Sequence, residues 1–305
     1  MKVSVVACTY AMDRYDDFSE CIDSLLSQTY DQIEIIVVVD GNRDVFDRFR
    51  SDFGDNAAVA AYCNDENRGV SYSRTRGAEL ATGDVVAFID DDATAAPTWV
   101  EELVNTYEET DAIAAGGKMT GDWIAGKPAT LPEEFYWLIG VTYPGFASSG
   151  DEIRNTFESN ISFRRDVFVN LGGFDPELGP DADSYSHSEG AEIGTRLQRR
   201  YGRGVVYNPD AIVAHKVFEH RTKLRWLLAR AFEQGRSKRR LERRETGSKD
   251  SETAYLQQLL GGFVPRRLRS LAVSPSLAGF VQFVMLFVFT GAVGSGYVYE
   301  TLSRH

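Results

Sequence analysis

The segment with the plainest chemistry is Asp90-Asp91-Asp92, which follows directly on the apolar run Val85-Val86-Ala87-Phe88-Ile89. A continuous apolar run of this kind reads as a strand buried on both faces of a parallel sheet. The three carboxylates then stand at the carboxyl edge, where open α/β sheets bind ligands. Adjacent carboxylates repel one another unless a cation joins them. A hard divalent ion, Mn²⁺ or Mg²⁺, carrying a phosphorylated ligand fits, because such ions prefer oxygen donors. A solvated acidic turn is the plain alternative. Two further apolar segments end in polar residues: Val3–Cys8 in Thr9-Tyr10, and Ile33–Val39 in Asp40-Gly41. Downstream, Glu189 and Glu192 are three apart and share a helix face, and His215 closes a short strand. A nucleoside at the first two edges, a diphosphate on a metal at the third and a carboxylate base beyond would make a group-transfer site.

The elements that must position these residues alternate in type. Phe18, Cys21, Ile22, Leu25 and Leu26 recur at helical spacing and predict a helix over about Tyr15–Gln28. Val45, Phe46 and Phe49 mark a second helix, Ala57–Tyr62 a short strand, Ser71–Ala81 a third helix, and Pro97 opens a fourth. Strand–helix repeats with apolar strands predict a doubly wound, mixed but mostly parallel sheet in an α/β domain. From Gly116 the pattern loosens into glycines, prolines and the aromatic Phe135-Tyr136-Trp137. Beyond it, Asn160–Phe163 reads as a strand, Arg165–Leu171 and Glu189–Tyr201 as helices, and Val205–Tyr207 and Ala211–Ala214 as short strands.

Charge divides the 305-residue chain. Its net −12 is the sum of an acidic body and a basic neck: residues 1–215 hold 17 Lys and Arg against 38 Asp and Glu, and residues 216–270 hold 15 against 6. The acidic body argues against nucleic acid as a partner, and the basic neck suits an anionic surface. With 26 Arg, only 7 Lys and 45 acids, the composition fits a protein bathed in concentrated salt. Cys8, Cys21 and Cys63 have no metal-type spacing and read as reduced thiols. Residues 222–245 predict a basic amphipathic helix able to lie on a membrane surface. Leu277–Val293 is apolar except for Gln282 and Thr290, long enough for one membrane segment, with an interfacial helix as the alternative. Arg266, Arg267 and Arg269 before it would keep the body cytoplasmic, at the cell membrane. The expected layout is a catalytic domain over 1–220, the neck over 221–270 and the membrane segment over 271–299.

Taken together, Val5-Val6-Ala7-Cys8-Thr9-Tyr10 with Arg14, Val37-Val38-Val39-Asp40-Gly41, Asn67-Arg68-Gly69-Val70 with Arg74, Asp90-Asp91-Asp92, and Asn160–Arg165 followed by Gly172-Gly173-Phe174-Asp175 resemble the inverting glycosyltransferases of family 2 with the GT-A fold. The resemblance covers residues 1–215. It implies that Asp40 contacts a uracil base, that Thr9 and Tyr10 line the nucleoside pocket, and that Asp90, beside Asp91, meets the ribose. It further implies that Asp92 ligates the metal, with His215 as a second ligand; a hydrogen-bonded core histidine is the alternative. The family's helical Glu-Asp pair appears here as Glu189-Gly190, a departure, which leaves Glu189 as the expected base and Glu192 as the second choice. Either could instead cap its helix. Asp181 and Asp183 stand outside the pattern.

Glu189 would deprotonate an acceptor hydroxyl as it attacks the anomeric carbon, inverting configuration in one displacement. Arg14, Arg68 and Arg74 could meet the diphosphate, although surface roles are equally compatible with the sequence. The neck and tail suggest a lipid-linked acceptor. With the acid-rich composition they resemble family members of salt-loving archaea that move a sugar, glucuronate in some, from a UDP-sugar to a dolichyl-phosphate-linked saccharide in N-glycosylation of surface-layer glycoprotein. Arg154 or Arg164 could pair with a hexuronate carboxylate. The rival is a polyprenyl-phosphate monosaccharide synthase, whose acceptor is the lipid phosphate itself. A nucleotidylyltransferase is disfavoured because residues 9–14 lack a glycine-rich, lysine-bearing loop, and a binding protein with a decayed site would be encouraged by Gly190.

Overall fold

The computed structural model describes residues 1–178, 189–244 and 255–303. Asp181 and Asp183, and residues 245–254 of the neck, lie outside them. Two compact units divide the chain: Met1–Thr120, residues 147–178 and Glu189–His215 form the first, and Gly121–Phe146 with the described residues from Lys216 onward form the second.

In the first unit, strands β1 (Val3–Thr9), β2 (Ile33–Val39), β3 (Val59–Cys63) and β4 (Val85–Asp90) run parallel in the order β3-β2-β1-β4, with Val5 between Ile35 and Ala87. Helices α1 (Tyr15–Leu26), α2 (Arg43–Phe53) and α3 (Val70–Leu80) connect them. Side chains alternate across a strand, so these continuous apolar runs feed two cores. Val5, Ala7, Val37, Ala87 and Ile89 pack with Phe18, Ile22, Phe49 and Trp99 on one face. Val6, Val38, Val86 and Phe88 pack with Phe163, Phe168, Phe174, Ile193 and Leu197 on the other.

Beyond β4 come β5 (Ala93–Ala95), α4 (Trp99–Glu109), β6 (Ala114–Trp123), β7 (Glu152–Ile153), β8 (Ile161–Arg164), α5 (Arg165–Leu171), α6 (Glu189–Tyr201) and β9 (Val205–Val217). The sheet continues β4-β8-β6-β9-β5, and β7 pairs with β9. The pairs β4–β8, β6–β8, β5–β9 and β7–β9 are antiparallel, so the parallel part stops where the sequence periodicity loosens. The two short strands expected over 205–214 are one strand. All three cysteines are free thiols, as expected.

The second unit is built around α7 (Glu219–Thr222), α8 (Leu224–Arg244), a helix over Val264–Val273 and a 26-residue helix over Leu277–Leu302. Leu227, Ala231, Leu286 and Phe289 share a core with Phe135, Leu138 and Phe263. A Cβ at Gly235 would lie 1.9 Å from the Val293 carbonyl, and one at Gly296 1.9 Å from that of Phe232. Glycine at both places therefore lets α8 and the last helix touch backbone to backbone.

Candidate active site

Because β1, β2 and β4 are parallel and in register, their carboxyl ends bring Thr9, Asp40 and Asp90-Asp91-Asp92 to one edge. Cys8 is the partner of Asp90 across β1 and β4. Thr9 Oγ1 donates to Asp91 Oδ2 at 2.9 Å, and the Thr9 carbonyl accepts from the Asp40 N–H at 2.8 Å. Tyr10, next along, is exposed. The cation beside the triad is Arg14: one guanidinium nitrogen lies 2.9 Å from Asp91 Oδ1 and 2.8 Å from Asp92 Oδ2. Burial works against its charge, but Asp91 and Asp92 more than offset that and raise its proton affinity. Asp91 moves the other way for a carboxylate, pushed up to about 6 by burial despite Arg14.

His215 reaches the triad through strand pairing. β5 runs antiparallel to β9 with Ala93 opposite His215, which sets His215 Nε2 3.4 Å from Asp92 Oδ1. Both side chains are buried. Among the described residues no three His, Cys, Asp or Glu side chains converge as a ready-made metal cage. Asp92 and His215 supply two donors, which suits an ion that completes its shell with phosphate oxygens and water. The residues therefore fit a divalent cation brought together with a diphosphate.

Asp40 is buried and its carboxylate is engaged by the chain itself. Oδ1 accepts from Asn64 Nδ2 at 2.7 Å and from the Arg68 N–H at 3.0 Å, and Oδ2 accepts from the Gly69 N–H at 2.8 Å. It thus shapes the 64–69 loop that leads into α3. The Arg68 side chain stands exposed, with its guanidinium 3.9 Å from the centre of the Tyr72 ring. It is the one of the three sequence-selected arginines whose side chain is exposed.

Arg74, on α3, is 4% exposed. It pairs with Asp90 and, through Nη1, lies 3.4 Å from Glu189 Oε1. Its place is between the triad and the expected base. Glu189, the first residue of α6, is 3% exposed, and its Oε2 has no hydrogen-bond partner among the described residues. Burial, and then the carboxylate of Glu158, push it up to about 8, with Arg74 acting against them. Glu192 differs: both its oxygens are taken by Arg196, at 2.5 and 2.6 Å. That bidentate pair, one helical turn long, engages both oxygens of the second-choice base.

Sequence reading missed Glu158. It lies in a single turn, Glu158–Asn160, with no periodicity to flag it. Its Oε1 accepts from the Gly190 N–H at 2.9 Å, and a Cβ at residue 190 would come within 2.1 Å of that oxygen. The one available signal was Gly190 itself, a missing side chain at the start of a helix. Arg164 sits opposite Val85, at the amino end of β4, and its Nε donates to the Ala112 carbonyl at 3.0 Å. It is at the wrong end of the sheet to meet a donor sugar. Arg154 Nε donates to Asn155 Oδ1 at 3.0 Å.

A sequence profile described as glycosyl transferase family 2 matches residues 4–172. The glucosyl-dolichyl phosphate glucuronosyltransferase of Haloferax volcanii is 52% identical over 304 residues, covering 99% of this chain and 97% of its own. The mannosyltransferase PcManGT from Pyrobaculum calidifontis, solved in complex with GDP-Man and Mn²⁺, superimposes with a TM-score of 0.63 over 100% of this chain and 88% of its own, at 15% identity. S. aureus TarS in complex with UDP-GlcNAc does so with a TM-score of 0.54 over 96% and 82%, at 14% identity. At those identities the structures speak for the fold, which is GT-A. The profile and the full-length relative speak for descent: the chain belongs to glycosyl transferase family 2 and is a glycosyltransferase.

Proposed function

We propose that this enzyme transfers a glucuronosyl group from UDP-glucuronate to glucosyl-dolichyl phosphate with inversion. The observation that carries the reading is the 52% identity to the Haloferax volcanii protein along essentially the whole of both chains. Glu189 is the base. Its buried, unpaired oxygen takes the proton of the acceptor hydroxyl as that oxygen forms the bond to the anomeric carbon, while the bond from that carbon to the diphosphate breaks and UDP leaves. Arg74 keeps the carboxylate from being stranded without a counter-charge. Asp92 and His215 would hold a divalent cation, Mn²⁺ or Mg²⁺, which would supply positive charge for the leaving diphosphate. Asp40, Thr9 and Tyr10 face the nucleoside, Asp90 and Asp91 the ribose side, and Arg14 and Arg68 the phosphates.

The lipid acceptor calls for a membrane surface, and the second unit offers one. Leu277, Phe280, Val284, Phe287, Val298 and Leu302 expose an apolar stripe along the last helix. A helix of this length and composition is able to cross a bilayer. Its other side, however, runs against α8, and Glu300 is buried there between Arg236 and Arg240, at 2.9 and 3.0 Å. Drawing those guanidinium groups into hydrocarbon would cost about 3 kcal/mol each. The stripe lying in one leaflet, with α8 and its arginines at the anionic headgroups of the cytoplasmic face, avoids that cost.

The test is incubation of the purified protein in high salt with a panel of UDP-sugars, a divalent cation, and either glucosyl-dolichyl phosphate or dolichyl phosphate, with products read by mass. A gain of one glucuronosyl group on glucosyl-dolichyl phosphate, abolished by chelator, is expected. Product on bare dolichyl phosphate, or no lipid product with any donor, would overturn the reading.

A further inference from the structure

Between the strand that carries the triad and the helix that carries the base lies the turn Glu158–Asn160, and each of its residues ties down a different element. Ser159 Oγ accepts the N–H of Asp90 at 2.9 Å. Asn160 takes the indole N–H of Trp99 at 2.9 Å and donates to the carbonyls of Lys118 and Ala211 at 3.1 and 2.9 Å. Glu158 reaches the opposite way, to the N–H of Gly190. That N–H belongs to the first turn of α6, where amide groups have no partner within the helix and negative charge is favoured. Any side chain at residue 190 would occupy the position of the Glu158 oxygen, since a Cβ would approach to 2.1 Å. Glycine at 190 is the condition for the Glu158 carboxylate to be where it is.

We infer that Glu158 is a positioning residue for Glu189, and that Gly190 is the gap that admits it. This rests on the reading of Glu189 as the base. Glu158 acts in two ways from one place. By bonding the start of α6 it fixes the helix turn that presents Glu189, and through Ser159 it holds that turn in register with Asp90. By sharing one guanidinium with Glu189 in a buried place it leaves the pair short of positive charge, so that burial raises the proton affinity of both carboxylates and the pair holds a proton more tightly than an isolated glutamate. The charged groups acting on Glu189 are Glu158 from the turn, Arg74 from α3 and Asp90 from β4. Arg74 is shared with Asp90, which leaves the two glutamates short of positive charge. A carboxylate that holds its proton more firmly is the stronger base towards a sugar hydroxyl.

Three variants test this, each assayed for kcat, for the KM of the donor and for the dependence of kcat on pH. Glu158→Gln keeps the shape and an oxygen for the Gly190 N–H but removes the charge. It is expected to lower kcat about tenfold or more, leave the donor KM unchanged, and move the acid limb of the kcat profile at least about one pH unit lower. The position of that limb does not depend on how much of the variant is folded. Gly190→Ala keeps every charge but evicts the Glu158 carboxylate, and is expected to lower kcat to a similar degree. In Glu158→Ala/Gly190→Asp a carboxylate returns from the other side, and the double variant is expected to recover activity lost by Glu158→Ala alone. An unmoved acid limb in Glu158→Gln, or a Gly190→Ala enzyme with unaltered kcat, would overturn the inference. Loss of all activity in Glu158→Gln combined with full activity in Glu189→Gln would instead overturn the choice of Glu189 as base.

Discussion

Buried glutamates occur in both units, and Glu189 in the first is treated in the opposite way to Glu134 and Glu300 in the second; Glu192, held by Arg196, goes with the latter pair. In the second unit Glu134 is fully buried and its two oxygens meet Arg266 at 2.9 Å and Arg267 at 2.8 Å. Glu300 has Arg236 and Arg240, with Arg243 nearby at 3.9 Å. In the first unit, among the described residues, the cation beside Glu189 is the edge of one guanidinium at 3.4 Å, which Asp90 also claims. Burial penalises an ionised carboxylate everywhere, so the contrast lies in the counter-charge. Where it is in excess the carboxylate stays ionised: burial pulls Glu134 upward, but Arg267 and Arg266 hold it below the usual glutamate range. Where it is scarce the carboxylate keeps a proton to exchange. The first arrangement is a clamp, and the second is the kind of site a general base needs.

The sharpest way to break this comparison is to neutralise one member of each class. Glu189→Gln is expected to lower kcat by about 10²–10⁴-fold while nucleotide affinity, measured by calorimetry with UDP, stays nearly unchanged. An unaffected kcat would remove Glu189 from the chemistry. Glu134→Gln should do the converse. Leaving Arg266 and Arg267 without their anion is expected to destabilise the fold by about 3 kcal/mol, read as a lower midpoint in chemical denaturation, with kcat per folded molecule unaltered. The smallest effect is in the pH dependence of stability. Glu134, lowered in the folded state, contributes fully above pH 4.5 and loses that contribution as pH falls through its folded value. Glu189, raised from 4.5 to about 8, has the opposite sign: its ionisation weakens the fold progressively as pH climbs through that interval. Melting curves should therefore show Glu189→Gln gaining on the parent protein towards pH 8, and Glu134→Gln losing least below pH 4.5.

The legible parts of this molecule are those whose causes are local. Val3–Thr9, Ile33–Val39 and Val85–Asp90 announce themselves because a strand buried on both faces must be apolar at every position, and polar residues after such a run must lie at its end. Thr9, Asp40 and the aspartate triad follow from that alone. The pairing of β5 with β9, which carries His215 to Asp92, is invisible in the chain because three residues of strand have no period to read. Likewise nothing local distinguishes Glu192, locked to Arg196, from Glu189, three residues earlier on the same helix. The spacing that singles out Arg74 says nothing of the two carboxylates that enclose it. Glu158 was hidden for the same reason, although the glycine it displaces a side chain from was in plain view.

The contacts around Glu134 also bear on the brine implied by so many acids. At about 1 M salt the distance over which charges feel one another shrinks to roughly 3 Å. Attractions spread across an acidic surface fade under those conditions, whereas partners touching at 2.8 and 2.9 Å around a buried carboxylate fade less. Direct pairing of this kind makes the contacts of Glu134 less sensitive to ionic strength than charges scattered over the acidic surface.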